Sequence, residues 1–166
     1  KPKKVKLFTG PPTHKEDDAK VVHELMNNAD IRIVSGGTTS QIVARELGVE
    51  VKSSTEIYDK EVPPIAYIQG VDLVTEGVLT LSKTIDRLKS LSKSLDSDIF
   101  KAKDGASQMA KLLYSASHIK LLVGRSLNIA NAESSFQRDL ELRLHVIGEL
   151  EKILVKLGKI VTVEYY

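Results

Sequence analysis

Residues 31–47 read IRIVSGGTTSQIVAREL. Ile31, Ile33 and Val34 make a short apolar run, and Ser35-Gly36-Gly37 breaks it. Apolar positions return at Ile42, Val43 and Leu47, the spacing of a helix face. Thr38 and Gln41 stand at capping-box spacing, and Gly48 is a good helix stop. A strand that turns through glycines into a helix is the first half of a βαβ crossover.

The same alternation continues outward on both sides. Upstream, Val5, Leu7 and Phe8 predict a strand closed by Thr9-Gly10-Pro11-Pro12, because two prolines stop strand and helix alike. Thr13, three before Glu16, predicts a capping box and a helix that buries Ala19, Val22, Leu25 and Met26. Asp17-Asp18 reads as a solvated first turn favoured by the helix dipole. Downstream, Val49 and Val51 start a third strand, residues 53–64 form a loop, and Ile65, Tyr67 and Ile68 form a short or edge strand beside Pro63-Pro64. Asp72 is expected to cap a long helix carrying Val74, Val78, Leu81, Ile85 and Leu88. Residues 92–103 read as a solvated, partly helical connector.

Asp104 then caps a helix with Met109, Leu112, Leu113 and Ala116. Ile119, Leu121, Leu122 and Val123 form a strand with little polar interruption, as expected when both faces are buried. Gly124-Arg125-Ser126 closes it, and residues 128–135 read as a polar loop. A last helix over about 136–157 carries Leu140, Leu144, Ile147, Leu150 and Leu154 on one face and stops at Gly158. Ile160, Val161 and Val163 end the chain as a strand. Strands alternating with helices predict an α/β fold: three layers, a mostly parallel sheet of five or six strands, and helices on both faces, Rossmann-like.

Composition narrows the function classes. The 166 residues correspond to a single domain and bury enough surface to fold without staples. Lys plus Arg number 24 against 22 Asp plus Glu, a net charge of +2, so no basic field points to nucleic acid. The absence of Cys excludes thiol catalysis, iron–sulfur clusters and disulfide scaffolds, and fits a reducing cytoplasm. No apolar run is long enough for a membrane span, and no signal peptide is visible. His14, His23, His118 and His145 lack helical ligand spacing, so no metal site is predicted. No serine sits in a G-x-S-x-G elbow, and no catalytic residue is assigned.

In an open parallel sheet, ligands bind beyond the carboxyl ends of the strands. Ser35, Gly36, Gly37, Thr38 and Thr39 follow a strand and open a helix there. Glycines let a ligand approach the backbone, and a helix N-terminus attracts a phosphate or carboxylate. The segment is neither GxGxxG nor a P-loop, and the same residue types also make a plain strand-to-helix turn with a threonine cap. Arg125 is placed to pair with an anion at the same edge, Asn128 to orient a ligand amide or hydroxyl, and Glu76, one turn from Asp72, to share a ligand or proton.

The run from Lys4 to Pro12, then IRIVSGGTTSQIVAREL, VPPIAYIQGVDLVTEGVLTLSKTIDRL, HIKLLVGRSLN and the ending GKIVTVEYY together resemble the C-terminal region of clostridial SpoIIE-type phosphatases. These are metal-dependent serine/threonine protein phosphatases of the PPM family. The resemblance covers nearly the whole chain and is weakest over 92–103 and 129–137. It implies a preceding catalytic domain that holds Mn²⁺ or Mg²⁺ through paired aspartates. Asp104-Gly105 and Asp17-Asp18 do not match those motifs, so no catalytic or metal residue carries over and no cofactor is expected in this piece. The chain starts at Lys1 rather than Met, which fits a cut just after such a phosphatase domain. The expectation is a non-catalytic regulatory or sensing domain that binds a small anionic or nucleotide-like ligand and partners its own phosphatase domain. The alternative is an interaction or homodimerisation module with an exposed apolar patch on the Leu140–Leu154 face.

Overall fold

The computed structural model describes residues 3–94, 97–127 and 133–166. Its chain order is β1 (Lys4–Thr9), a 3-10 turn (Lys15–Asp17), α1 (Asp18–Met26), β2 (Ile31–Ser35), α2 (Gly37–Leu47), β3 (Lys52–Ser53), β4 (Ala66–Tyr67), β5 (Leu73–Thr75), α3 (Val78–Lys93), α4 (Ser97–Lys101), α5 (Gly105–Ser115), β6 (His118–Val123), α6 (Glu133–Lys156) and β7 (Ile160–Tyr165). The strands form one seven-stranded sheet in the order β3-β4-β5-β2-β1-β6-β7. The five strands from β5 to β7 run parallel, and β4 and β3 add antiparallel pairs at one edge. The fold is α/β with a mostly parallel sheet and helices on both faces, as the alternating periods predict. The small antiparallel edge brings the strand count to seven.

Strand alternation divides the apolar residues between two cores. Val5, Leu7, Ile33, Leu73, Ile119 and Leu121 point to the face covered by α3, α5 and α6. Phe8, Val34, Val74 and Leu122 point to the other, covered by α1 and α2. Each fully buried aliphatic side chain contributes about 1.5–3 kcal/mol, so a one-residue slip of any central strand would forfeit several such terms.

Local readings are corrected in four places. Asp72 does not cap a helix: residues 73–75 are β5, and α3 starts only at Val78 after Gly77. Asp72 Oδ2 instead accepts from Arg32 N at 2.7 Å, tying β5 to β2. The Thr13 capping box does not form. Thr13 N and Oγ1 both donate to Tyr166 O, so α1 begins later, at Asp18. Asp18 is buried rather than solvated and meets Arg45 Nη2 at 2.7 Å. The Leu140–Leu154 face is no exposed patch, because Ile147, Leu150 and Leu154 lie in the main core and Leu144 packs against it. Asp104 does cap α5, its Oδ2 accepting from Ser107 N at 2.9 Å.

Candidate functional site at the strand carboxyl edge

The chain leaves β1 toward β2 on one side and later returns to β6 on the other, so β1 and β6 flank the topological switch point. A ligand crevice is expected between their carboxyl ends. Here that crevice is closed by backbone. Gly124 N donates to Thr9 O at 3.0 Å, and Ser126 N to Pro11 O at 3.0 Å. A Cβ on Gly124 would sit 2.0 Å from Gly10 O and 2.2 Å from Pro11 O, so only glycine lets the two loops touch.

The opening is displaced by one strand, to the ends of β1, β2 and β5. A cavity of about 190 Å³ lies there, lined by Gly10, Gly36, Gly37, Thr39, Gly77 and Arg143 among others. Two helices begin at its rim. α2 starts at Gly37 with Gly36 as N-cap, α3 starts at Val78 with Gly77 as N-cap, and neither has a side-chain cap. Their N-caps adjoin: a Cβ on Gly77 would lie 3.9 Å from Gly36 Cα. Uncapped first turns leave backbone N–H donors and partial positive charge at the same spot.

Arg143 of α6 adds a full charge. Its Nη1 donates to Gly124 O at 3.1 Å. Gly10, beside this guanidinium, must be glycine, since its φ is +87° and a Cβ would come within 2.7 Å of the backbone Gly124 O. Burial presses the Arg143 guanidinium below its ordinary pKa, and the charge of Asp139 offsets this in part. Among the described residues, no carboxylate lies within ion-pair distance of it. A half-buried cation without an anion, next to two uncapped helix starts, is an environment that favours a bound anion.

The structure separates the residues singled out from the sequence. Gly36, Gly37, Thr38 and Thr39 line the cavity. Thr39 is buried, and its Oγ1 accepts from Gly10 N at 2.9 Å, which locks the β1 loop to α2. The predicted capping role is absent, because no side chain caps α2. Ser35 borders the cavity but is wholly buried, its Oγ donating to Glu76 O at 3.3 Å. Glu76 is exposed and lines a neighbouring cavity of about 300 Å³ with Ser40, Gln41 and Ser54. It shares no helix with Asp72. Arg125 is exposed, stacked 5.4 Å from the Tyr165 ring, and is not among the residues lining the anion cavity. Asn128 lies outside the described residues.

Arg143 escaped the sequence reading, although a signal was present. It stands four before Ile147 and seven before Leu150, so it interrupts the core-facing stripe of α6 with a cation.

The opposite edge of the sheet also holds a cavity, of about 300 Å³, lined by Lys6, Glu24, His118 and Lys120. Its charges are already matched. Lys6 Nζ donates to Glu24 O and Asn27 O at 2.8 and 2.6 Å, capping the C-terminus of α1. Lys120 pairs with Glu24 and Glu164, and its hydrogen bond holds the Glu24 carboxyl below the usual carboxylate range. With its cations satisfied, this cavity offers an anion less than the Arg143 site does.

Among the described residues no group of three or more His, Asp or Glu side chains converges. No described helix is long and apolar enough to cross a membrane. Comparison with protein-family models, curated proteins and solved structures finds no match to this chain.

Proposed function

We propose that this chain is a regulatory or sensing domain that binds a small anionic, nucleotide-like ligand at the carboxyl edge of its sheet. The observation that carries this reading is the half-buried Arg143, without an ion-pair partner among the described residues, beside the adjoining uncapped starts of α2 and α3. A phosphoryl group suits that arrangement. It can accept from first-turn N–H groups and from the guanidinium together. Among the described residues, the cavity's polar lining holds hydroxyls, backbone amides and Arg143, groups suited to holding an anion.

The resemblance to the C-terminal region of SpoIIE-type serine/threonine phosphatases supplies the context. In that setting the ligand acts by preferring one arrangement of this domain and its neighbouring phosphatase domain, shifting activity by its differential affinity. The metal chemistry belongs to the neighbour.

Thermal-shift titration with inorganic phosphate, AMP and ADP tests the binding claim. Wild type is expected to gain stability with at least one of these probes. Gly37→Asp places a carboxylate at the first position of α2, where its Cβ meets nothing within 4 Å. That variant is expected to fold and to lose the gain. No stabilisation of wild type by any probe, or an equal gain in the variant, would refute the reading.

A further inference from the structure

We propose that two copies of this chain pair through β7, forming one continuous sheet about a two-fold axis at Val163. The inference is independent of the anion site. β7 is the outermost strand beside β6, six residues long, with the sequence IVTVEY. Protein edges of this kind are usually blunted by proline, bulges or lysine. β7 has none of these, and Glu164 is its one charge.

The backbone groups on that edge are defined by the pairing on its other side. Ile160 N donates to Ser117 O and Tyr166 N to Val123 O, so even-numbered residues of β7 turn toward β6. Val161, Val163 and Tyr165 therefore turn their N–H and C=O groups outward. An antiparallel copy centred on Val163 uses all three, pairing Val161 with the second copy's Tyr165 and Val163 with itself.

Side chains favour this register. On the α6 face, exposed Tyr165 covers the second copy's Val161, an aromatic–β-branched pair of the kind that stabilises sheets. On the opposite face, exposed Ile160 meets Tyr166 of the second copy. The register of β1, β6 and β7 sets Lys6, Lys120 and Thr162 in one cross-sheet row. The next position in that row is Glu164 of the second copy, whose charge is already met within its own chain by Lys120 at 3.1 Å. A copy centred on Thr162 instead sets Glu164 against Ile160.

α6 is shaped for the same approach. Glu149, Lys152 and Lys156 line a groove against Lys89 and Lys93 of α3. The helical period puts Gly148, Glu151 and Val155 on the opposite flank. Gly148 has nothing within 4 Å of its Cβ position, and Val155 is 56% exposed. A mid-helix glycine costs about 1 kcal/mol against alanine. Here it leaves room for a second helix. With strands about 4.8 Å apart, helices seated over each β6–β7 pair lie about 10 Å from one another, an ordinary packing distance.

Sedimentation equilibrium of the 166-residue chain tests this. Wild type is expected to be a dimer in equilibrium with monomer. Val163→Pro removes only an outward N–H, so it is expected to give a monomer with an unchanged far-ultraviolet dichroism spectrum. Should that variant unfold, Tyr165→Lys decides. It sets a charge against the second copy's Val161 and is expected to weaken the dimer by at least roughly tenfold. A wild-type monomer at every concentration, a monomer that adds a strand only from another polypeptide, or a dimer indifferent to these changes would overturn the proposal.

Discussion

Replacing Gly124 with Ala tests whether backbone contact closes the switch point and displaces the site. The new Cβ would lie 2.0 Å from Gly10 O, 2.2 Å from Pro11 O and 2.3 Å from Pro11 C. All three are backbone atoms, so no side chain can rotate away. Comfortable non-bonded contact needs about 3.5 Å, and the loops after β1 and β6 must part by more than 1 Å even to approach it. That separation breaks the Gly124 N–Thr9 O and Ser126 N–Pro11 O hydrogen bonds. Overpacking strain of about 1–3 kcal/mol and about 1 kcal/mol for each of the two lost bonds give a destabilisation of about 3–5 kcal/mol. For a chain this size that lowers Tm by roughly 6–20 °C. The sequence has no Trp, so urea denaturation followed by far-ultraviolet circular dichroism is the assay. Gly37→Ala is the control, since a Cβ there meets nothing within 4 Å. It is expected to be neutral or mildly stabilising. A Gly124→Ala protein within 0.5 kcal/mol of wild type, the ordinary range of a surface substitution, would refute the reasoning.

Two further outcomes follow from the interior and the charge network. Among the described residues, Thr80 Oγ1 is buried without a hydrogen-bond partner. Thr80→Val is therefore expected to raise stability by about 1 kcal/mol in the same urea assay, and a loss of stability would show that the hydroxyl has a partner. Glu24 is held below the usual carboxylate range by Lys120, so its contribution is fully present above about pH 4.5 and fades as pH falls through the depressed folded value. Glu24→Gln is expected to be less stable than wild type at pH 7, with the gap closing in acid. A gap that stays constant to pH 2 would contradict the ionic origin.

The fold was legible where period and punctuation agree. At Ile31–Ser35 a strand run, a glycine pair and a helix face follow one another without overlap, and β2 and α2 form as read. At residues 72–78 they do not. Val74 lies four before Val78, so a strand residue extended the helical spacing backward and hid β5. Short apolar runs of three residues carry too little period to tell strand from helix. The Gly77 break was the better guide. Thr13 failed as a cap because its partner, Tyr166 O, comes from the far end of the chain.

The candidate site was half legible for a similar reason. Gly36, Gly37, Thr38 and Thr39 are local to one turn, and a strand-to-helix turn can be read locally. Arg143 reaches the cavity only because the packing of α6 brings its guanidinium to Gly124 and Gly10, a placement set by tertiary structure. Arg125, adjacent in sequence to the switch point, turns away to stack on Tyr165. Proximity along the chain therefore pointed to Arg125, which does not line this cavity, and not to Arg143, which does.

Calorimetric titration of pyrophosphate into wild type and Arg143→Met tests the central claim most directly. Loss of one charge-assisted hydrogen bond to a phosphoryl oxygen is worth about 1.5–3 kcal/mol. The account predicts measurable binding by wild type and affinity roughly 10- to 100-fold weaker in the variant, with the fold retained. Equal affinity in the two proteins, or no binding by wild type, would contradict it.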